Sequence, residues 1–220
     1  MKLPLILVNF KAYEQGTGGS AVVLAKIHER VAKETGANIC IAVSALDLVK
    51  VCEAVAIPVF AQHTDFVGYG GHTGHILPDM VKGVGAYGTI LNHAEFQLEN
   101  ENLEKCINAA KRAGLFVIVC ANDGDRAKKI SGFNPDLVAV EPPELIGGDL
   151  SVSKTEPAII EKAVDLVGSG RVLVGAGIKD GEDVRIALAL GASGVLLASG
   201  VVRAEDPYSI LMDLVSGLKS

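Results

Sequence analysis

No stretch of the sequence stays apolar for the roughly 18 residues that a membrane-spanning helix needs, so no membrane partner is expected. The opening run of residues 1–9 is broken at Pro4 and closed at Asn9, too soon for a signal peptide. Four cysteines are present (Cys40, Cys52, Cys106 and Cys120) but no C-x-x-C pair. Cys40 and Cys120 sit in strand-like apolar runs, Cys52 and Cys106 in helical ones, and buried free thiols are the expectation for all four. Nor is there an excess of basic residues. A formal net charge of -6 argues against nucleic acid as a partner, so any cation that meets a phosphate must act locally. Linkers, low-complexity segments and charge runs are also missing, which leaves one domain over residues 1–220 and, by default, a cytoplasmic location.

What the chain does contain is one pattern repeated. A short apolar strand leads into a Gly-rich or polar loop, and an amphipathic helix follows. Strands are expected at residues 5–9, 38–43, 57–62, 88–92, 115–120, 137–141, 172–175 and 194–197. Helices are expected near 20–34, 45–55, 78–84, 98–112, 123–131, 156–167, 181–190 and 207–218. In the first helix Val23, Ile27 and Val31 share a face, Ser20 is a plausible N-cap, and His28 reads as a surface residue. Eight strand–helix units predict an α/β fold with a parallel sheet closed as a (β/α)8 barrel. A doubly wound open sheet is the alternative, but it usually has fewer strands and a Gly-rich first turn, where this chain has Asn9-Phe10-Lys11.

The chain is organised around Val138-Ala139-Val140-Glu141, followed by Pro142-Pro143-Glu144-Leu145-Ile146-Gly147-Gly148. A buried strand that ends in a carboxylate presents it at the mouth of the sheet. The proline pair stiffens the exit and the glycine pair loosens the far end, so the apolar tip between them reads as a lid over Glu141. Other strand ends face the same mouth: Asn9-Phe10-Lys11 after the first strand and Asn92-His93-Ala94-Glu95 after the fourth. Gly175-Ala176-Gly177 and Ala198-Ser199-Gly200 follow the seventh and eighth, the two loops that often bind phosphate in such barrels. Taken singly, each residue has an ordinary structural explanation; their common mouth is what points to chemistry. The remaining histidines, His63, His72 and His75, lack a carboxylate or cysteine at ligand spacing, and no metal is expected. A carboxylate, an imidazole, a cation and a phosphate anchor under a lid fit proton abstraction beside a carbonyl on a small phosphorylated sugar, with no cofactor.

These motifs resemble triosephosphate isomerase over essentially the whole chain. The resemblance rests on Asn9-Phe10-Lys11, Asn92-His93-Ala94-Glu95, Ala139 through Gly147, and Gly194 through Gly200. Chain length and the Glu-Pro-Pro-Glu-Leu-Ile-Gly lid resemble the shorter archaeal form, a TIM barrel. The glutamate base beside a neutral histidine electrophile is this family's own mechanism and enters through the resemblance. It implies Glu141 as base, His93 as electrophile and Lys11 as electrostatic clamp, with Asn9 lining the site and Glu95 behind Lys11. Ile146, Gly177, Ala198 and Ser199 match positions whose backbone meets the substrate phosphate. Thr73 matches a residue that crosses to a neighbouring subunit, which implies a homo-oligomer, dimer or tetramer. Three departures from longer members stand out: Ala94 replaces a serine, Pro143-Glu144-Leu145 replaces Val-Trp-Ala, and Gly175-Ala176-Gly177 replaces a Ser-bearing turn. Two other readings remain open: a lyase or epimerase on a larger phosphosugar, and a non-catalytic phosphometabolite sensor.

Overall fold

The computed structural model describes residues 1–142 and 157–219. Eight parallel strands close into a barrel in chain order. They are β1 (Leu5–Asn9), β2 (Ile39–Val43), β3 (Val59–Ala61), β4 (Gly88–Leu91), β5 (Phe116–Ala121), β6 (Leu137–Val140), β7 (Val172–Gly175) and β8 (Gly194–Leu197). The ring is sealed where β8 pairs with β1, Leu5 opposite Gly194 and Val8 opposite Leu197. Each strand lies within two residues of its expected position.

Almost every strand residue is buried, because the barrel interior covers one face and the helices cover the other. Alternation divides the strands into two sets. Leu5, Leu7, Cys40, Ala42, Ile118, Ala139 and Leu173 fill the interior. Ile6, Val8, Ile41, Val119, Val138 and Val174 pack under the helices. In the interior Phe60 meets Tyr87 and Phe116 at ring separations of 5.7 and 6.3 Å. Gly88 leaves room for this cluster: a Cβ there would stand 2.4 Å from the Phe60 ring.

The helices are α1 (Gly18–Thr35), α2 (Leu48–Ala54), α3 (Pro78–Gly83), α4 (Asn100–Arg112), α5 (Gly124–Ser131), α6 (Pro157–Val167), α7 (Gly181–Ala189), α8 (Ser199–Val202) and α9 (Pro207–Ser216). The short α8 and a 3-10 turn at Glu14–Gly16 had no sequence expectation. Asp123 and Asp180 cap α5 and α7 by accepting backbone N–H groups.

Three expectations for α1 are corrected: its cap, its buried face and the exposure of His28. Ser20 does not cap it: the helix begins at Gly18, whose N–H donates to Asp47 Oδ1 at 2.9 Å. A carboxylate from the β2–α2 loop thus takes an orphan donor that no local side chain reaches. The buried face is also rotated from the expected one. It holds Ala21, Leu24, Ala25, His28 and Val31, while Val23 is 62% exposed. His28 is fully buried, its Nδ1 2.8 Å from the Leu24 carbonyl and its ring 5.3 Å from that of Phe10. A polar residue on the true core face disguised that face. The cysteines are free thiols as expected, with Cys52 half-buried and the others buried.

Candidate active site

Parallel closure brings all eight strand C-termini to one rim, and a cavity of about 90 Å³ opens there. Asn9, Lys11, His93, Glu141, Gly177, Ala198 and Ser199 all line it, although they come from five different strand ends. Glu95 borders an adjoining hollow with Lys11 and His93. Thr73 lies on an exposed loop away from the cavity. Ile146 and the expected lid beyond Pro142 lie outside the described residues.

The first strand delivers Lys11 through a sharp turn. Lys11 adopts a left-handed backbone, φ 48°, which a side-chain-bearing residue holds only where its surroundings demand it. Asn9 Oδ1 accepts the Lys11 N–H at 3.0 Å. Gln62, just past β3, donates its amide to Asn9 Oδ1 at 3.1 Å and to the Lys11 carbonyl at 3.0 Å. The Lys11 ammonium reaches Glu95 Oε1 at 2.7 Å. Glu95 is well exposed, so the pair holds the lysine's direction more than it adds stability.

The fourth strand presents His93 from another left-handed residue, Asn92 at φ 58°. The Asn92 amide donates to the Cys120 carbonyl at 2.8 Å and its oxygen accepts the Leu98 N–H at 2.9 Å, fixing the turn on both sides. The Glu95 backbone N–H donates to His93 Nδ1 at 3.1 Å. Only an unprotonated Nδ1 can accept that bond, which assigns the proton to Nε2. Nε2 faces Glu141 Oε1 at 3.8 Å.

Glu141 follows β6 and is 5% exposed. Its N–H donates to the Ala121 carbonyl at 2.8 Å, extending the strand ladder by one residue. Oε2 is buried with no hydrogen-bond partner among the described residues. Burial pushes the carboxyl above the ordinary glutamate value, against the opposing pull of His93, the Cys120 thiol and Lys11. The same burial, with the Glu141 charge beside it, drives the Cys120 thiol well up, so it stays protonated and inert.

Next to Glu141 round the rim are two backbone turns, which also line the cavity. Ala176 and Gly177 are both left-handed, φ 71° and 70°, and Ala198 leads directly into α8 at Ser199. The first N–H groups of a helix have no partner within it, so this wall offers donors to a ligand. Among the described residues no group of three or more His, Cys, Asp or Glu could hold a metal ion. His63 lies 3.4 Å from Asp65 and packs edge-on against Phe96, while the His72 and His75 rings stand 5.8 Å apart on the loop.

Gln62 escapes sequence reading, and Asn92, Cys120 and Gly175 read as a strand end, a buried thiol and a glycine of the phosphate turn, without the contacts that hold the site. The first two stand at strand ends, the signal that singled out the others, yet an amide suggests no chemistry by itself. Gly175 reads as part of a glycine turn, but a Cβ there would stand 2.3 Å from Glu141 Cγ.

Fold and rim together define an enzyme of the (β/α)8 class, with a buried carboxylate facing an imidazole. Residues 4–217 match the family model described as triosephosphate isomerase. A triosephosphate isomerase of Methanobacterium bryantii is 46% identical over 217 residues, 97% of this chain and 96% of that one. Those of Methanoculleus marisnigri and Archaeoglobus fulgidus are each 47% identical, covering 98% and 97% of this chain and 99% and 98% of theirs. A crystal structure of the Bartonella henselae triosephosphate isomerase superposes with TM-score 0.73 at 21% identity, covering 94% of this chain and 97% of that one, which bears on the fold. The chain belongs to the triosephosphate isomerase family, in its shorter archaeal form, and is an isomerase.

Proposed function

We propose that the chain interconverts dihydroxyacetone phosphate and D-glyceraldehyde 3-phosphate by proton transfer through an enediolate, the step shared by glycolysis and gluconeogenesis. The observation that carries this reading is the facing of Glu141 Oε1 and the protonated Nε2 of His93 at 3.8 Å across one small cavity. Glu141 takes a proton from C1 of the ketose. The His93 Nε2–H bonds the C2 carbonyl oxygen and gives it a proton as charge builds there. The imidazole is then restored by the proton of the C1 hydroxyl. Glu141, now a carboxylic acid, returns its proton to C2, and the aldose results. Lys11 stabilises negative charge on the oxygens and on the phosphate.

The phosphate sits against the backbone of Gly177, Ala198 and Ser199, with Ile146 closing from the lid and Asn9 lining the substrate site. Lid closure over Glu141 keeps water from the enediolate, which would otherwise eliminate phosphate. No metal or other cofactor takes part. The single domain acts as a cytoplasmic homo-oligomer, dimer or tetramer, with Thr73 reaching a neighbouring subunit. Among the described residues no helix is long and apolar enough to cross a membrane.

The test is a coupled assay of the purified protein on dihydroxyacetone phosphate, with glyceraldehyde 3-phosphate dehydrogenase reporting product and Glu141→Gln as control. Turnover that the control loses supports both the reaction and the base. A folded protein that binds 2-phosphoglycolate but turns nothing over would replace this reading with a phosphometabolite sensor.

A further inference from the structure

Gln62 occupies an unusual place in the rim. It follows Ala61, the last residue of β3, which pairs with Val43 of β2; Ala42 of β2 pairs in turn with Asn9 of β1. The side chain therefore reaches over one whole strand to touch the next. At its tip a single amide nitrogen meets Asn9 Oδ1 at 3.1 Å and the Lys11 carbonyl at 3.0 Å, with the Ala42 carbonyl at the limit of reach, 3.5 Å. A primary amide has two protons, enough for the two short bonds. Asn9 Oδ1 meanwhile holds the Lys11 N–H. Both backbone polar groups of Lys11, a residue in the left-handed region at φ 48°, are thus held by side chains instead of by a sheet or helix. A lysine side chain has four rotatable carbons and little direction of its own. Its root must be fixed if the ammonium is to stay at the cavity wall, where its side chain is only 12% exposed.

We propose that Gln62 is a positioning residue for Lys11, its amide clamping the Asn9 side chain and the Lys11 carbonyl together so that the lysine keeps its left-handed turn and its ammonium stays at the substrate. This rests on the reading of Lys11 as the group that meets the substrate's charge. Gln62 itself touches no reacting atom. Its contribution travels through one peptide unit, and it should therefore vanish when Lys11 can no longer carry charge.

The test uses that dependence. Gln62→Met keeps length and bulk and removes both donors. Four proteins are compared: the native chain, Gln62→Met, Lys11→Met and the double variant. For each, the affinity for 2-phosphoglycolate is measured by calorimetry, and kcat and KM are measured where turnover allows. In the native background Gln62→Met is expected to weaken 2-phosphoglycolate binding and raise KM by about tenfold, the size of one lost hydrogen bond to a functional group, with a smaller change in kcat. In the Lys11→Met background the same change is expected to cost nothing further. Gln62→Met within twofold of native, or an equal loss in both backgrounds, would overturn the proposal. A Lys11→Met protein that binds 2-phosphoglycolate as tightly as native would overturn the reading of Lys11 itself, a result distinct from a silent Gln62→Met. If Gln62→Met does not fold, Gln62→Asn, which keeps the amide but shortens its reach, carries the same four-way comparison.

Discussion

Gly175 and Glu141 share a space that only one of them can fill. A Cβ at position 175 would stand 2.3 Å from Glu141 Cγ and 2.7 Å from Oε1. The carboxylate therefore owes its place to the missing side chain on the neighbouring strand, since β6 and β7 pair side by side. Gly175→Ala is expected to leave the barrel folded and push the carboxylate aside. Since about 1 Å of misplacement can cost roughly a hundredfold in rate, kcat should fall by that order with KM little changed. Steady-state kinetics beside a circular dichroism melt would check this, and a kcat within threefold of native would show that the carboxylate has room elsewhere.

The burial that isolates Glu141 also sets its proton affinity. Its carboxyl is held above the ordinary glutamate value, so it takes up a proton at higher pH than an exposed glutamate would. On the proposed reading the carboxylate form is the base, and activity should then fall on the acid side starting above the usual glutamate range. Substrate phosphate titrates near pH 6 itself, so the cleaner measurement is a carbon NMR titration of the Glu141 carboxyl in the free protein. A midpoint at or below that of a solvated glutamate would contradict the burial argument.

His93 should show one tautomer. With the Glu95 N–H on Nδ1, the nitrogen NMR signals at neutral pH are expected to report a protonated Nε2 and an unprotonated Nδ1. The reverse assignment would leave no proton aimed at a substrate oxygen.

His28 predicts an acid-sensitive fold. Complete burial lowers its pKa to about 4, while the unfolded chain keeps the ordinary 6.5. Above the unfolded value neither state is protonated and the residue adds no pH dependence. As pH falls from about 6.5 towards 4 the unfolded state gains a proton that the folded state refuses, and stability drops by up to about 3 kcal/mol. The difference in melting temperature between native and His28→Leu proteins should shift across that window in favour of the variant. A difference that stays constant from pH 7 to 4.5 would mean that His28 is charged or solvated in the fold.

His28 also shows where sequence reading stops. The strands were legible because both of their faces are buried, which leaves short, nearly continuous apolar runs in the chain. The rim residues were legible because a strand end in a parallel barrel faces one mouth, whatever the rest of the fold does. The face of α1 was not, since its core stripe includes an imidazole and small alanines while the exposed Val23 imitates a core residue. The Gly175–Glu141 fit and the reach of Gln62 to Lys11 were hidden for another reason. They depend on groups that meet between strand ends, adjacent ones for Gly175 and Glu141 and ones with a strand between them for Gln62 and Lys11, 34 and 51 residues apart in the chain. No periodicity encodes such a contact. The lid motif after Pro142 falls outside the described residues, so the lid remains an expectation from the sequence.

The most direct test of the account is isotope exchange. Dihydroxyacetone phosphate is converted in heavy water, and the glyceraldehyde 3-phosphate is trapped and examined for deuterium at C2. If Glu141 takes a proton from C1 and returns one to C2, the carboxylic acid can trade its proton with solvent on the way, and the product should carry deuterium at C2. The Glu141→Gln protein should show neither conversion nor label. Conversion, or label at C2, that persists in the Glu141→Gln protein would contradict a glutamate-mediated proton transfer at this site.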